Sequence, residues 1–177
     1  MASKYGSVSG GDTFFGARLH AYDWDKATPA DKLAALIQAS ELIDQFDFIG
    51  QKATVYTLVE ASDDDTDWTT DTNRALIQAA ELEQPLEFPR DADSAVPTDI
   101  ENAAYLIAKA LLSGRDPDAD LENLAVKQSQ YGGVKTSYDR SGNTQEHIAH
   151  LIPSPQAFNL IRPYFRERNL FDVKKNS

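Results

Sequence analysis

Apolar residues recur three or four positions apart in three long stretches of this chain, the spacing that buries one face of an α-helix. The first stretch begins at Thr28, a good N-cap followed by proline, and continues to about Phe46. The second covers about 72–83, and the third opens at 98–101 with a capping-box pattern and stops at Gly114. The residues predicted to face the core are Leu33, Leu36, Ile37, Ser40, Ile43, Leu76, Ile77, Ala80, Ile100, Ala103, Ala104, Ile107 and Leu111. The sequence therefore predicts a mainly α-helical protein.

Two shorter helices are predicted near the two ends of the chain. Asp12 is a candidate N-cap for a helix that continues to Leu19, after an extended lead-in over residues 1–11. Ser154 opens a last helix that Pro163 interrupts.

The segments between the helices carry weaker signals. Residues 53–60 are β-branched and fit either a strand or a short helix, and the acidic runs 63–67 and 116–120 are predicted loops. Residues 124–131 and 134–138 flank a Gly-Gly pair, which is a β-hairpin signal because glycine accepts positive φ at the turn.

One sequence similarity lies inside the chain. Residues 35–42 (ALIQASEL) nearly repeat as residues 75–82 (ALIQAAEL). Two copies are too few for a solenoid, in which at least three repeats are expected. A duplicated helix hairpin and chance convergence on a good amphipathic helix both remain open.

The chain length of 177 residues fits one domain. The predicted fold is mainly α: a compact bundle of about four to five helices with a small β-hairpin and an extended C-terminal tail. The helical domain is placed at residues 1–163, with the hairpin near 124–138, and the tail at residues 164–177.

The amino-acid composition excludes or disfavours several classes of function. The chain has no cysteine, which excludes disulfides, thiolate zinc sites and cysteine nucleophiles and suits a reducing cytosol. The net charge is -11, from 28 acidic and 17 basic residues, whereas a free-standing nucleic-acid binder usually carries a basic stripe. No stretch has the apolar length of a membrane span, and no signal peptide is expected.

The sequence offers no convincing reactive centre. The aspartates in 63–67 and 116–120 begin like calcium-binding EF-hand loops, but both lack the required glycine and the later glutamate. His147 and His150 could share a helical face, yet two ligands make a weak zinc site. There is no phosphate-binding loop, dinucleotide fingerprint or nucleophile elbow. We therefore predict no cofactor, no metal and no enzymatic activity.

The order of several motifs resembles the phage family labelled DnaT-like single-stranded-DNA-binding proteins, whose members encoded beside portal and capsid genes look like head–tail adaptors. The motifs that carry the likeness are Tyr5-Gly6, Phe14-Phe15-Gly16-Ala17-Arg18, Ala35-Leu36-Ile37-Gln38-Ala39-Ser40, Phe46-Asp47-Phe48-Ile49-Gly50, Gln84-Pro85-Leu86-Glu87-Phe88-Pro89-Arg90, Val96-Pro97-Thr98-Asp99-Ile100, Val126-Lys127 and Leu160-Ile161-Arg162-Pro163-Tyr164-Phe165. The likeness covers nearly the whole chain, and the Phe-Pro-Arg element is its most specific part. It departs at residues 51–83, where this chain has a longer acidic insertion.

The resemblance implies a structural role in the neck of a tailed bacteriophage. The chain would form a ring, of twelve copies, under the portal protein and give the tail or a stopper protein a landing surface. Genomic double-stranded DNA would pass through the channel without specific binding. The protein would assemble in the bacterial cytoplasm and reside in the virion, without contact to a membrane.

The resemblance also implies that the tail is the arm that binds the portal. Its apolar anchors and charged contacts would be Tyr164, Phe165, Arg166, Arg168, Leu170, Phe171, Lys174 and Lys175.

Two other functions are weighed against this one. A single-stranded-DNA-binding replication accessory protein needs a basic groove with stacking aromatics. Candidate aromatics exist at Tyr131, Tyr138, Trp24 and Trp68, but most of the surrounding charge is negative. A small hydrolase or metal protein is the third possibility.

Overall fold

A computed structural model describes residues 3–62, 65–125, 128–131, 134–137 and 146–166 of the chain, and the prediction of a mainly helical protein is confirmed. The helices are α1 (Val8–Gly16), α2 (Tyr22–Lys26), α3 (Pro29–Asp44), α4 (Ala53–Glu60), α5 (Asp71–Glu83), α6 (Thr98–Leu112), α7 (Pro117–Ala125), α8 (Glu146–Ala149) and α9 (Pro155–Ile161). A 3₁₀ turn, Arg162–Tyr164, follows α9. The described residues thus hold more and shorter helices than the four to five predicted.

The core is built on the pair α3 and α6. These two helices share the most extensive packing in the described structure, and α9 packs against α6. Small residues such as Ala39, Ala103 and Ala104 are fully buried, which lets the helix axes approach closely. Larger apolar side chains, among them Leu36 and Ile107, are also fully buried, and each contributes roughly 1.5–3 kcal/mol by burial.

The caps of α3 and α9 follow the sequence prediction. The side-chain oxygen of Thr28 accepts a hydrogen bond from the Asp31 amide, and Ser154 does the same for Ala157. In both helices proline occupies the first turn, where its missing N–H costs no hydrogen bond. These two helix starts are therefore confirmed.

The predicted start of the first helix is wrong. α1 begins at Val8, and its N-cap is Ser7, whose hydroxyl oxygen accepts a hydrogen bond from Gly10. The carboxylate of Asp12 instead accepts hydrogen bonds from the Trp24 indole at 2.9 Å and from Lys32 at 2.7 Å. Asp12 is thus engaged by residues distant in the sequence, and such contacts leave no signal in the local pattern.

Further helix boundaries and burial predictions needed correction. α2 was not predicted, the expected loop at 116–120 forms the start of α7, and the ambiguous segment 53–60 is helix α4. α6 has Pro97 as its N-cap with no side-chain cap bond, so the predicted capping box does not form. Leu33 and Leu76 were expected in the core but are 41% and 47% exposed, because their sides of α3 and α5 are not covered by another element of the described chain.

Two strands form the small sheet. β1 (Gln128–Tyr131) pairs with β2 (Val134–Ser137) in antiparallel register, with Gln128 opposite Ser137 and Tyr131 opposite Val134. The Gly-Gly pair predicted to make the turn lies outside the described residues.

Glycines in α1 provide a test of the close packing around the N-terminal helix. A Cβ added at Gly11 would overlap the Trp24 ring, whereas nothing lies within 4 Å of a Cβ added at Gly16. We expect Gly11→Ala to lower the free energy of unfolding by about 1–3 kcal/mol, because the buried indole must move. Gly16→Ala in the same helix should raise it by up to about 1 kcal/mol, because alanine restricts the unfolded chain. Urea denaturation of both variants checks this, and equal effects would contradict the described contact.

Candidate docking surface around residues 162–166

The polypeptide leaves α9 along a fixed path that ends on the core. After the 3₁₀ turn, Phe165 forms an isolated antiparallel bridge with Phe48. The Ile49 amide donates to the Tyr164 carbonyl at 2.9 Å, and the Arg166 amide donates to the Asp47 carbonyl at 2.9 Å. Residues 164–166 are therefore held as a short strand against residues 47–49.

Aromatic rings surround this short strand. The Phe165 ring stacks on Phe46 with centroids 4.7 Å apart and lies 5.7 Å from Phe158. The imidazole of His150 stacks on Phe158 at 5.4 Å, and the Tyr164 ring meets Phe88 edge-on at 5.4 Å. Such aromatic pairs add about 0.5–1.5 kcal/mol each beyond the area they bury. These ring contacts hold Tyr164 and Phe165 on the core.

Arg90 holds the same backbone segment from the other side. Its guanidinium donates to the carbonyls of Phe48 at 3.3 Å, Ile49 at 2.8 Å and Gly50 at 2.6 Å. Arg90 is only 9% exposed, and its charge is balanced by Glu87, whose carboxylate lies 2.6 Å away. A buried guanidinium needs this many acceptors because each unpaired N–H would cost free energy.

The rest of the Gln84–Arg90 motif supports Arg90. The buried Gln84 side chain donates to the carbonyls of Leu86 and Pro89 and accepts a hydrogen bond from the Thr54 amide. Lys52 donates to the Gln84 carbonyl at 3.0 Å and lies 3.4 Å from the Glu87 carboxylate. Sequence analysis assigned this motif no role beyond its family likeness, because a hydrogen-bonded loop has no periodic pattern.

A cleft of about 570 Å³ lies beside the short strand. It is lined by Ile49, Asn159, Arg162, Pro163, Phe165 and Arg166. We call these six residues the docking surface. Ile49 is 56% exposed at its edge. The two arginines pair only loosely, with Glu146 at 3.7 Å and Asp47 at 3.6 Å, and more than half of each arginine side chain is exposed. Exposed pairs of this kind contribute little, so both cations can exchange partners at low cost.

The predicted docking residues divide into two groups. Tyr164 and Phe165 are partly buried against the core cluster, and Arg166 is exposed at the end of the short strand. The predicted boundary between residues 163 and 164 therefore falls within continuous contacts, and residues 164–166 belong to the folded body. The other predicted contacts, Arg168, Leu170, Phe171, Lys174 and Lys175, lie outside the described residues.

A partly buried carboxyl, that of Asp44, lies under the same region. Tyr5 is fully buried, and its hydroxyl donates to Asp44 and accepts from the Phe88 amide at 3.2 Å. The Glu87 amide donates to the same Asp44 oxygen at 3.4 Å. Burial raises the pKa of Asp44 to about 6, and burial also raises the pKa of Tyr5 above its ordinary value, so the phenol stays protonated. Because these groups face one another inside the protein, they anchor residues 5 and 87–88 to the end of α3.

The acidic segments that resemble calcium loops are used for local turns. Asp67 accepts hydrogen bonds from the Thr69 amide and hydroxyl, and Asp116 accepts from the amides at the start of α7. Among the described residues, no group of three or more histidine or acidic side chains is arranged to hold a metal ion. Nor does the described part of the chain contain a helix long and apolar enough to span a bilayer.

In comparisons with known proteins, the chain matches no protein-family model, no curated protein and no solved structure.

The Asp44 carboxyl predicts a pH dependence of stability. Its folded pKa of about 6 lies above the ordinary 3.8, so the folded state binds this proton more tightly than the unfolded chain. Its contribution to stability is therefore greatest below about pH 4 and is lost as the pH rises through about 6. We expect a loss on the order of 1–2 kcal/mol, because partial solvent access reduces the full ~1.4 kcal/mol per pKa unit.

Asp44→Asn isolates this effect, because the amide keeps an oxygen for the Tyr5 hydroxyl but does not titrate. The difference in unfolding free energy between wild type and variant should shift in favour of the variant between pH 4 and 7. Denaturant titrations at several pH values measure it. A constant difference across this range would show that Asp44 titrates normally.

Arg90→Lys tests the importance of the guanidinium. One ammonium cannot reach three carbonyls and Glu87 together, so we expect a loss of about 2–4 kcal/mol in unfolding free energy. Arg74→Lys, an exposed position on α5, is the matched control and should change stability by less than about 0.5 kcal/mol. Thermal and urea unfolding compare the two, and equal losses would remove Arg90 from its proposed role.

Proposed function

We propose that this protein is a structural head-to-tail adaptor of a tailed bacteriophage, without catalytic activity. It forms a ring, of twelve copies, under the portal protein and joins the portal to the tail or a stopper protein. The ring extends the channel for genomic double-stranded DNA, and the protein resides in the neck of the virion after assembly in the bacterial cytoplasm. Its finer architecture is a compact helical bundle with a β-hairpin.

The observation that carries this proposal is the rigid exit of the chain at residues 164–166. Backbone bonds to residues 47–49 and the Phe46–Phe165 stack fix where segment 167–177 leaves the core. The segment contains Arg168, Leu170, Phe171, Lys174 and Lys175. A firmly anchored base followed by apolar and basic residues suits an arm that inserts into a groove of another protein, because the anchor limits the entropy lost on binding.

The docking surface extends this contact area. Ile49 and Pro163 line the same cleft as Arg162 and Arg166, and all four residues are exposed. An apolar centre with arginine at its rim is a common composition of protein interfaces. The proposal places the portal against this surface and segment 167–177 together.

The charges of the described residues are compatible with a channel through which DNA passes and disfavour a DNA-binding site. Many described cations already have partners within the fold: Lys32 with Asp12, Lys52 with Glu87 and Arg90 with Glu87. With the net charge at -11, an acidic ring interior would repel the phosphate backbone and keep duplex DNA from adhering.

The alternative, a single-stranded-DNA-binding protein, gains no specific support. Trp24, one of the aromatics considered for base stacking, is fully buried between α1 and α6 neighbours. Trp68 is half-buried beside the acidic segment, and the side chains of Tyr131 and Tyr138 lie outside the described residues.

The proposal is tested by mixing purified protein with portal rings encoded in the same genome. Wild type should decorate the portal as a ring in negative-stain images and co-sediment with it. The double variant Leu170→Ser, Phe171→Ser should lose attachment by at least about tenfold, since two apolar anchors are removed.

The matched control replaces two exposed apolar residues elsewhere, Leu19→Ser and Tyr22→Ser, which are 86% and 67% exposed. This control should still bind the portal. Attachment by the Leu170, Phe171 variant would refute the docking assignment. Wild-type protein that ignores the portal but binds an oligonucleotide in a salt-sensitive manner would favour the replication function instead.

A further inference from the structure

An apolar stripe on α5 has no cover in the described structure. It consists of Ala75, Leu76, Ala79 and Leu82, which we call the α5 stripe. Leu76 is 47% and Leu82 82% exposed, and no residue of α5 is buried. The opposite side of the helix faces α4, where Thr54 donates to the Ala80 carbonyl at 2.7 Å.

The same four residue types occur at matching positions of α3 in the internal repeat. There Ala35, Leu36 and Ala39 are buried and Leu42 is partly buried, within the packing of α3 against α6. The surface that α3 buries is thus the surface that α5 exposes. Its shape and chemistry are those of a face that packs against another element, since exposed apolar patches of this kind usually mark contact sites.

The chain leaves the folded body close to one end of this stripe. Arg166 donates to the Gly50 carbonyl at 3.2 Å, and Lys52 donates at 3.0 Å to the carbonyl of Gln84, the C-cap of α5. Residue 166 and the end of α5 are therefore attached to the same three-residue stretch, 50–52. A cleft of about 610 Å³ opens there, lined by Lys52, Gln78, Glu81, Leu82 and Pro85.

The length of chain beyond residue 166 suffices to cover the stripe. Segment 167–177 can span roughly 36–40 Å when extended. Leu76 and Leu82 are separated by about 9 Å along the helix axis. The extended segment is therefore about four times as long as the distance between these two leucines.

The chemistry of the two partners is complementary. The α5 stripe has acidic residues near its ends, Asp71 before it and Glu81 and Glu83 around Leu82. Segment 167–177 carries three apolar residues, Leu170, Phe171 and Val173. Its three basic residues, Arg168, Lys174 and Lys175, outnumber its two acidic ones, Glu167 and Asp172. Apolar burial supplies the attraction, and the opposite charges favour this segment over an acidic partner such as a second α5.

We infer that the α5 stripe is the docking site of segment 167–177 of the same chain, with Leu170 and Phe171 packed on its Leu82 end. This contact goes beyond the adaptor role, because it concerns the isolated chain and does not require a portal. Because the same side chains are assigned to the portal, the two surfaces compete for them, and the α5 stripe keeps the segment covered until the portal displaces it.

Engineered cysteines test this contact directly, because the native chain has no cysteine to interfere. The pair Leu82→Cys and Phe171→Cys is oxidised with copper phenanthroline in air at low protein concentration. The matched control is Leu19→Cys with Phe171→Cys, since Leu19 is 86% and Leu82 82% exposed. The first pair should form an intramolecular disulfide at least about fivefold faster, because docking raises the effective concentration of the two thiols.

Equal rates for the two pairs would overturn the inference. Disulfides formed only between chains would also overturn it, since the segment would then occupy the stripe of a second copy. A second measurement needs no cross-link: trypsin should cleave after Arg168 faster in Leu82→Asp than in wild type or in Leu19→Asp. Failure of portal binding would leave both results unchanged, so the two proposals can fail separately.

Discussion

The structure around the docking surface depends on the hydrogen bonds that the Arg90 guanidinium donates to residues 48–50. It donates to three successive carbonyls of residues 48–50, while Glu87 neutralises its charge. The opposite edge of the same residues pairs with 164–166. Without Arg90, the carbonyls of Phe48 and Ile49 would lose their side-chain donor. Arg90 and residues 164–166 therefore hold this irregular segment from two sides.

A second network connects the start of the chain to the same region. The Tyr5 amide donates to Ser40 at 2.8 Å, and the Tyr5 hydroxyl joins Asp44 to the Phe88 amide. Ser40 and Asp44 lie one helical turn apart on α3, so one face of that helix holds the N-terminal segment. Tyr5, α3 and the Gln84–Arg90 motif are distant in sequence, yet they form one hydrogen-bonded unit that supports residues 47–50.

The peripheral part of the molecule has a different physical character. α4 and α5 pack mainly against each other, and α5 leaves its repeated apolar stripe exposed. The repeated sequence, residues 35–42 and 75–82, is largely buried in α3 and exposed in α5, because only α3 packs against α6. The arginines also differ by position. Arg90 is buried among carbonyls and the Glu87 carboxylate, whereas Arg162 and Arg166 make only long ion pairs and stay more than half exposed beside the cleft.

The sequence by itself determined the helical class, the starts of α3 and α9 and the buried residues Ile100, Ala103, Ala104 and Ile107, because caps and periodicity are local signals. It could not determine that Ser7 rather than Asp12 caps α1, since that choice depends on Trp24 and Lys32 meeting Asp12 in space.

The candidate docking surface likewise combines features that the sequence predicts with features that only tertiary contacts decide. Residues 164–166 could be named from the sequence as apolar and basic, but only the tertiary structure joined them to the folded body through Phe46, Phe48 and the Asp47 carbonyl. The role of Arg90 was equally hidden, because its acceptors lie about forty positions away and carry no side-chain signature. Local patterns decide which segments are helices. Contacts between residues far apart in the chain decide which apolar face is covered and which carbonyl accepts a hydrogen bond.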